Sequence, residues 1–161
     1  MDYQQIVSLL GKEAQDLLSH SCKKITATQV HLPTPKHVEQ VFLNSDRSKT
    51  VINNLHKLYN HGRLAKTGYL SILPVDQAIE HTAAYSFYHN PIYFEPENII
   101  KLALEGGCSG ITSTLGVLGL TCKKYAEKIP YIVKLNHNEL LTYPTKHDQI
   151  MFAQVQQAYN M

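Results

Sequence analysis

The chain has 161 residues, 43% of them hydrophobic and 17% charged, with a formal net charge of +2. That composition supports the buried core of one ordinary domain and excludes a disordered segment. The charge is too small and too dispersed to indicate a nucleic-acid or membrane-surface partner, since basic residues never run longer than two (Lys23-Lys24, Lys123-Lys124).

In chain order, Ile6, Leu9, Leu10, Leu17 and Leu18 recur at helical spacing, which predicts an amphipathic helix over residues 2–20. The same stretch lacks the basic start and apolar centre of a secretory signal. Pro33 and Pro35 then limit regular structure. Lys36 to Leu43 reads as a short helix. Thr50 to Asn60 reads as another, with Val51, Leu55 and Leu58 on one face and Gly62 beyond its end. Residues 1–66 thus form a helical extension.

From Gly68 the texture changes to alternating strands and helices, which places an α/β domain over residues 67–161. Strands are expected at Tyr69–Val75, Gly110–Thr114 and Tyr131–Leu135. Helices are expected at Pro96–Glu105, Leu115–Lys128 and Asp148–Tyr159. Pro96 sits in the first turn of its helix, Gly106-Gly107 follows that helix, and Pro130 ends the next. The order βαβαβα implies a parallel sheet. The cluster Tyr85, Tyr88 and Tyr93 reads as loop packing. The three cysteines, Cys22, Cys108 and Cys122, are odd in number and lack CxxC spacing, which fits reduced thiols in a cytoplasm rather than a disulfide framework.

Functional residues in parallel α/β folds collect at the C-terminal ends of strands. That rule selects Asp76, Gln77, Glu80 and His81 after the first strand. It selects Thr112, Ser113 and Thr114 at the second, and Lys134, Asn136 and His137 at the third. Alternation puts Leu70, Ile72, Pro74 and Asp76 on one face, and Ile132, Lys134 and Asn136 on one face. In a closed barrel, Asp76 and Lys134 then look into the same mouth as a carboxylate–ammonium pair able to support proton transfer. The plainer alternatives are a turn or cap aspartate and a lysine that snorkels to the surface. His81, His89, His137 and His147 are scattered, with no HExxH or paired Cys/His spacing, so no metal site is expected, and a metal-dependent lyase stands only as an alternative. Gly106-Gly107, after a helix, is a C-cap rather than a phosphate loop.

The runs GYLSILPVDQAIEH (residues 68–81), NPIYFEPENIIKLALEGGC (90–108), STLGVLG (113–119) and IPYIVKLNHNELLTYP (129–144) resemble the class I, Schiff-base fructose-bisphosphate aldolases of the archaeal and bacterial type. The resemblance covers nearly the whole chain. It implies a partial TIM (β/α)8 barrel, made of the first three βα units behind the helical extension. It also implies no metal or other cofactor, a sugar phosphate substrate, and reversible cleavage of fructose 1,6-bisphosphate to dihydroxyacetone phosphate and glyceraldehyde 3-phosphate.

By the same resemblance, Asp76 is a catalytic residue near the sugar hydroxyls, and Lys134, Asn136 and His81 are substrate-binding residues. The family's Schiff-base lysine belongs to strand six and its phosphate loops to strands seven and eight. The chain is therefore expected to be an N-terminal portion, inactive alone, whose partner would be a C-terminal aldolase fragment or another aldolase chain. One position departs from the pattern: Ala78 stands where the family usually has Gly, and a positive φ there would strain the loop.

Overall fold

The computed structural model describes residues 1–142 and 148–160, and divides the chain into two compact units, Met1–Leu32 and Pro33–Met161. Residues 33–66 count with the sheet-bearing unit. The change of texture near residue 66 marks where strands begin, not where one unit ends.

In the first unit the expected single helix is two. Helix α1 (Tyr3–Leu10) starts in a capping box: the Asp2 side chain accepts from the Gln5 backbone N–H, and the Gln5 side chain accepts from that of Asp2, both at 2.8 Å. It stops because Gly11 takes φ +55. A short 3-10 turn leads into α2 (Ala14–Leu18).

The second unit opens with α3 (His37–Val41) and α4 (Lys49–Tyr59). Ser48 caps α4 by accepting from the Val51 N–H at 3.3 Å. The chain beyond α4 is held by close backbone approach. The backbone N–H of Arg63 donates to the Gly107 carbonyl at 2.7 Å, and its guanidinium reaches the Gly106 carbonyl and, at 2.9 Å, Ser71 Oγ. Gly62 allows this, with φ +76 and room for no Cβ, which would sit 2.4 Å from the Gly107 oxygen.

Three parallel strands follow in the order β1–β2–β3: β1 (Ile72–Val75), β2 (Gly110–Ser113) and β3 (Tyr131–Val133). Between β1 and β2 come a short helix α5 (Ala83–Phe87) and then α6 (Pro96–Glu105). Between β2 and β3 comes α7 (Leu115–Tyr125). Glu95 caps α6, Pro96 opens it, and Gly107 at φ +61 follows its end. Thr114 caps α7 by accepting from the Val117 N–H at 3.3 Å. Of the three tyrosines expected to pack the intervening loop, Tyr93 meets Phe87 edge-on at 6.2 Å, while Tyr85 and Tyr88 are exposed.

Register gives the two faces of the sheet different fates. Leu73, Ile111 and Tyr131 lie level with one another, as do Val75, Ser113 and Val133. This face packs on Ile99, Ile100 and Ala103 of α6 and Leu118 and Tyr125 of α7, which forms the hydrophobic core. The other face carries Pro74, Thr112 and Ile132 in one row, with Ile72 beside them. Pro74 and Ile72 are exposed, and Thr112 and Ile132 are half-buried. An uncovered apolar face of this kind is what a closed parallel barrel would turn inward.

The C-terminal part differs from the expected βα unit. The third strand stops at Val133, and Asn136 belongs to a separate strand, β4 (Asn136–Asn138). It pairs antiparallel with β5 (Gln149–Met151), so the helix expected from Asp148 is reduced to α8 (Val155–Asn160). The physical reason is local. Leu135 breaks the alternation, and its carbonyl accepts from both the Phe152 and Ala153 N–H groups, at 2.9 and 3.2 Å, which folds the chain back as a hairpin. Among the described residues no helix is long and apolar enough to cross a membrane.

Candidate active site

Asp76 directly follows β1 and Lys134 directly follows β3. Because Val75, Ser113 and Val133 are in register, both residues leave the sheet at the same level, at the strands' C-terminal ends. Two strand spacings separate them, about 10 Å of backbone. The long lysine stem bridges that gap, and Lys134 Nζ donates to Asp76 Oδ2 at 2.5 Å. The Lys134 backbone N–H is fixed in turn by the Ser113 carbonyl at 3.0 Å.

A second carboxylate joins them. After Asp76 the chain makes a tight turn in which the Ile79 N–H donates to the Asp76 carbonyl at 3.3 Å and the Ala78 N–H to the His81 carbonyl at 2.6 Å. Ala78 closes the turn at φ +82, a left-handed conformation that the missing glycine would adopt without a Cβ penalty. The turn brings Glu80 back over Lys134, whose Nζ donates to Glu80 Oε1 at 2.7 Å. The same oxygen accepts from the Asn138 backbone N–H at 2.9 Å.

His137 completes the group. Its side chain is 1% exposed, and its Nδ1 lies 3.7 Å from Asp76 Oδ2 and 3.9 Å from Glu80 Oε1. The Phe152 ring stands edge-on to it at 5.4 Å. Among the described residues neither ring nitrogen has a hydrogen-bond partner.

The electrostatics follow from these contacts. The hydrogen bond from Lys134 holds the Glu80 carboxyl below the ordinary carboxylate value against the opposing effect of burial, and the Asn138 N–H adds to it. For Lys134, burial is the largest single influence and pulls the ammonium down, but the bonds to Asp76 and Glu80 together outweigh it and the net shift is upward. Lys134 is therefore charged at neutral pH. A protonated amine has no free electron pair and cannot attack a carbonyl.

Asp76, Glu80 and His137 also offer one ligand atom each, all within 4.8 Å of one another, the spacing of a metal triad. The Lys134 ammonium already bridges the two carboxylates, so the cation that balances this site is the lysine itself.

Of the residues selected from sequence, the fold thus joins Asp76, Glu80, Lys134 and His137, of which only Asp76 and Lys134 were expected as a pair. His81 is exposed, and only its backbone carbonyl takes part in the turn. Asn136 is exposed on β4, opposite Met151. Ser113 is fully buried and donates from Oγ to the Val75 carbonyl at 2.5 Å, which makes it a sheet tie. His147 lies outside the described residues. Glu80 and His137, selected by strand-end position but given no role there, complete the cluster. Glu80 sits in the same turn as Asp76, and a turn that doubles back was legible only through the glycine-like position of Ala78. His137 falls on the wrong face under strict alternation and reaches the site because the strand breaks at Leu135.

Comparison with known proteins gives the family. Residues 70–161 match the family model described as DeoC/LacD family aldolase. The chain is 56% identical over 156 residues to a probable fructose-bisphosphate aldolase class 1 of Chlamydia pneumoniae, covering 97% of this chain and 45% of that protein. It is 54% identical over 158 residues to the probable fructose-bisphosphate aldolase class 1 of Chlamydia muridarum (strain MoPn / Nigg), covering 97% and 44%. The chain thus spans a little under half the length of these curated relatives. In structure, 77% of the chain aligns with 40% of a fructose-bisphosphate aldolase from Slackia heliotrinireducens DSM 20476, at a TM-score of 0.62 and 21% identity. That likeness concerns the fold, an α/β arrangement of parallel strands and flanking helices. With a family match over residues 70–161 and a polar cluster at the strand ends, the chain belongs to the DeoC/LacD family of aldolases.

Proposed function

We propose that this chain supplies the first three strand–helix units of a class I fructose-bisphosphate aldolase barrel, as its N-terminal portion. In the complete barrel the reaction is reversible aldol cleavage of fructose 1,6-bisphosphate, within glycolysis and gluconeogenesis, in the cytoplasm. The observation that carries this reading is the Asp76–Lys134 pair, seated at the C-terminal ends of β1 and β3 above the uncovered face of the sheet.

In this reading a lysine elsewhere in the barrel forms the Schiff base, and the iminium accepts the electrons of the breaking carbon–carbon bond. Asp76 takes the hydrogen of a sugar hydroxyl, or holds it in place. Lys134 attracts the anionic substrate and keeps Asp76 ionised. His81 and Asn136, both exposed, are substrate contacts completed by parts of the barrel beyond these three strands.

The test is a chimera in which this chain replaces the matching segment of the Chlamydia pneumoniae relative. Fructose 1,6-bisphosphate cleavage is expected in the chimera, and a loss of about a hundredfold or more in its Asp76→Ala form. Full activity in Asp76→Ala overturns the assignment.

A second reading rests on the uncovered face of β1–β3, where Ile72 is 39% exposed. An inactive remnant with such a face would act by docking on another aldolase chain. Size-exclusion chromatography with a full-length aldolase tests it: co-elution supports it, and separate peaks remove it.

A further inference from the structure

We propose that Glu80 is the positioning residue of this site: one carboxylate oxygen both anchors the Lys134 ammonium beside Asp76 and pins the backbone at Asn138, so that Lys134 faces substrate with one N–H left to give. The purpose assigned to this arrangement rests on the aldolase reading, but the arrangement itself does not.

Three observations support it. First, Glu80 Oε1 accepts from Lys134 Nζ at 2.7 Å and from the Asn138 N–H at 2.9 Å, so a single atom ties the β1 turn to the ends of both β3 and β4. Second, burial is graded across the group. The Glu80 side chain is 12% exposed, Asp76 19% and Lys134 29%, so the anchor is the most enclosed of the three and the ammonium the most open. Third, the ammonium has three donors, and two are used by Asp76 and Glu80. Among the described residues it has no further acceptor, which leaves one N–H for a hydroxyl or phosphate oxygen of a sugar phosphate. Asp76 alone would hold the lysine at one point and leave its stem free to swing. The second carboxylate fixes the direction, and the upward shift of Lys134 is the electrostatic trace of both.

Glu80→Gln isolates this role. The amide keeps an oxygen that can accept from Asn138, and only the charge is lost. The readout is the pH profile of Lys134 acylation by acetic anhydride, resolved residue by residue with mass spectrometry on the full chain. In the wild type, Lys134 should react about tenfold more slowly near pH 9 than the exposed Lys123. In Glu80→Gln it should react about tenfold faster than in the wild type, with its midpoint moved to lower pH. Glu97→Gln, which removes a carboxylate bound to Lys124 instead, should leave Lys134 unchanged. Lys134 reactivity within twofold of wild type in Glu80→Gln overturns the proposal. So does equal reactivity of Lys134 and Lys123 in the unmodified chain, a comparison that holds even if the variant fails to fold. No substrate or turnover enters this assay, so its outcome is separate from that of the chimera.

Discussion

Replacing Lys134 by methionine keeps most of the side-chain volume and removes the charge that balances Asp76 and Glu80. The carboxylate oxygens of the triad lie within 4.8 Å of one another. At an effective dielectric of about 20, two like charges at that separation repel by about 3 kcal/mol. Losing one partner of a fully buried ion pair costs about 3–5 kcal/mol, and of an exposed pair about 0–1. With side-chain exposures of 29% for Lys134, 19% for Asp76 and 12% for Glu80, the site lies between these limits. The expected loss at pH 7 is about 2 kcal/mol.

The pH dependence carries a definite sign. The folded value of Glu80 lies below the ordinary 4.5, so its pairing stabilises the fold above pH 4.5 and is lost as pH falls through the folded value. The folded value of Lys134 lies above the ordinary 10.5, so its pairing is fully present below that pH and is lost as pH rises through the folded value. The stability gap between wild type and Lys134→Met should therefore be widest near neutrality and close as pH falls below 4.5 or rises above 10.5. Urea unfolding followed by far-UV circular dichroism across this range measures it. A gap under about 0.5 kcal/mol at pH 7, or one constant with pH, would refute the ion-pair account.

Three further outcomes follow from the same structure. Ala78→Gly relieves a non-glycine residue at φ +82 and should raise stability by about 1 kcal/mol, read as a higher Tm. Gly62→Ala places a Cβ 2.4 Å from the Gly107 oxygen at φ +76, and should cost about 3 kcal/mol in urea unfolding. Ile100→Ala removes a fully buried side chain between α6 and the sheet, and should cost about 3 kcal/mol by the same measurement.

The parallel sheet was legible because its signals are local and redundant. Pro96, Gly107, Thr114 and Pro130 punctuate the chain where the helices begin and end, and the strand centres are short apolar runs. The pairing of Asp76 with Lys134 was legible for a related reason: period-two alternation and strand-end position together place both residues at one mouth. The hairpin of β4 and β5 was not. Phe152, Val155 and Tyr159 recur at helical spacing, and only the carbonyl of Leu135, which binds the Phe152 and Ala153 N–H groups, turns the start of that segment into a strand. Glu80 and His137 were visible as strand-end residues, but their joining of the Asp76–Lys134 pair was not, for the same kind of reason. Both reach the site through backbone reversals, at Ala78 and Leu135, where neither helical nor strand periodicity applies.

The central claim is that Lys134 is a charged partner of Asp76 and Glu80 rather than the covalent nucleophile. Borohydride reduction of the chain in the presence of fructose 1,6-bisphosphate, with peptide mass spectrometry, tests it most directly. The account predicts no reduced adduct on Lys134. A stoichiometric adduct at that residue would contradict it.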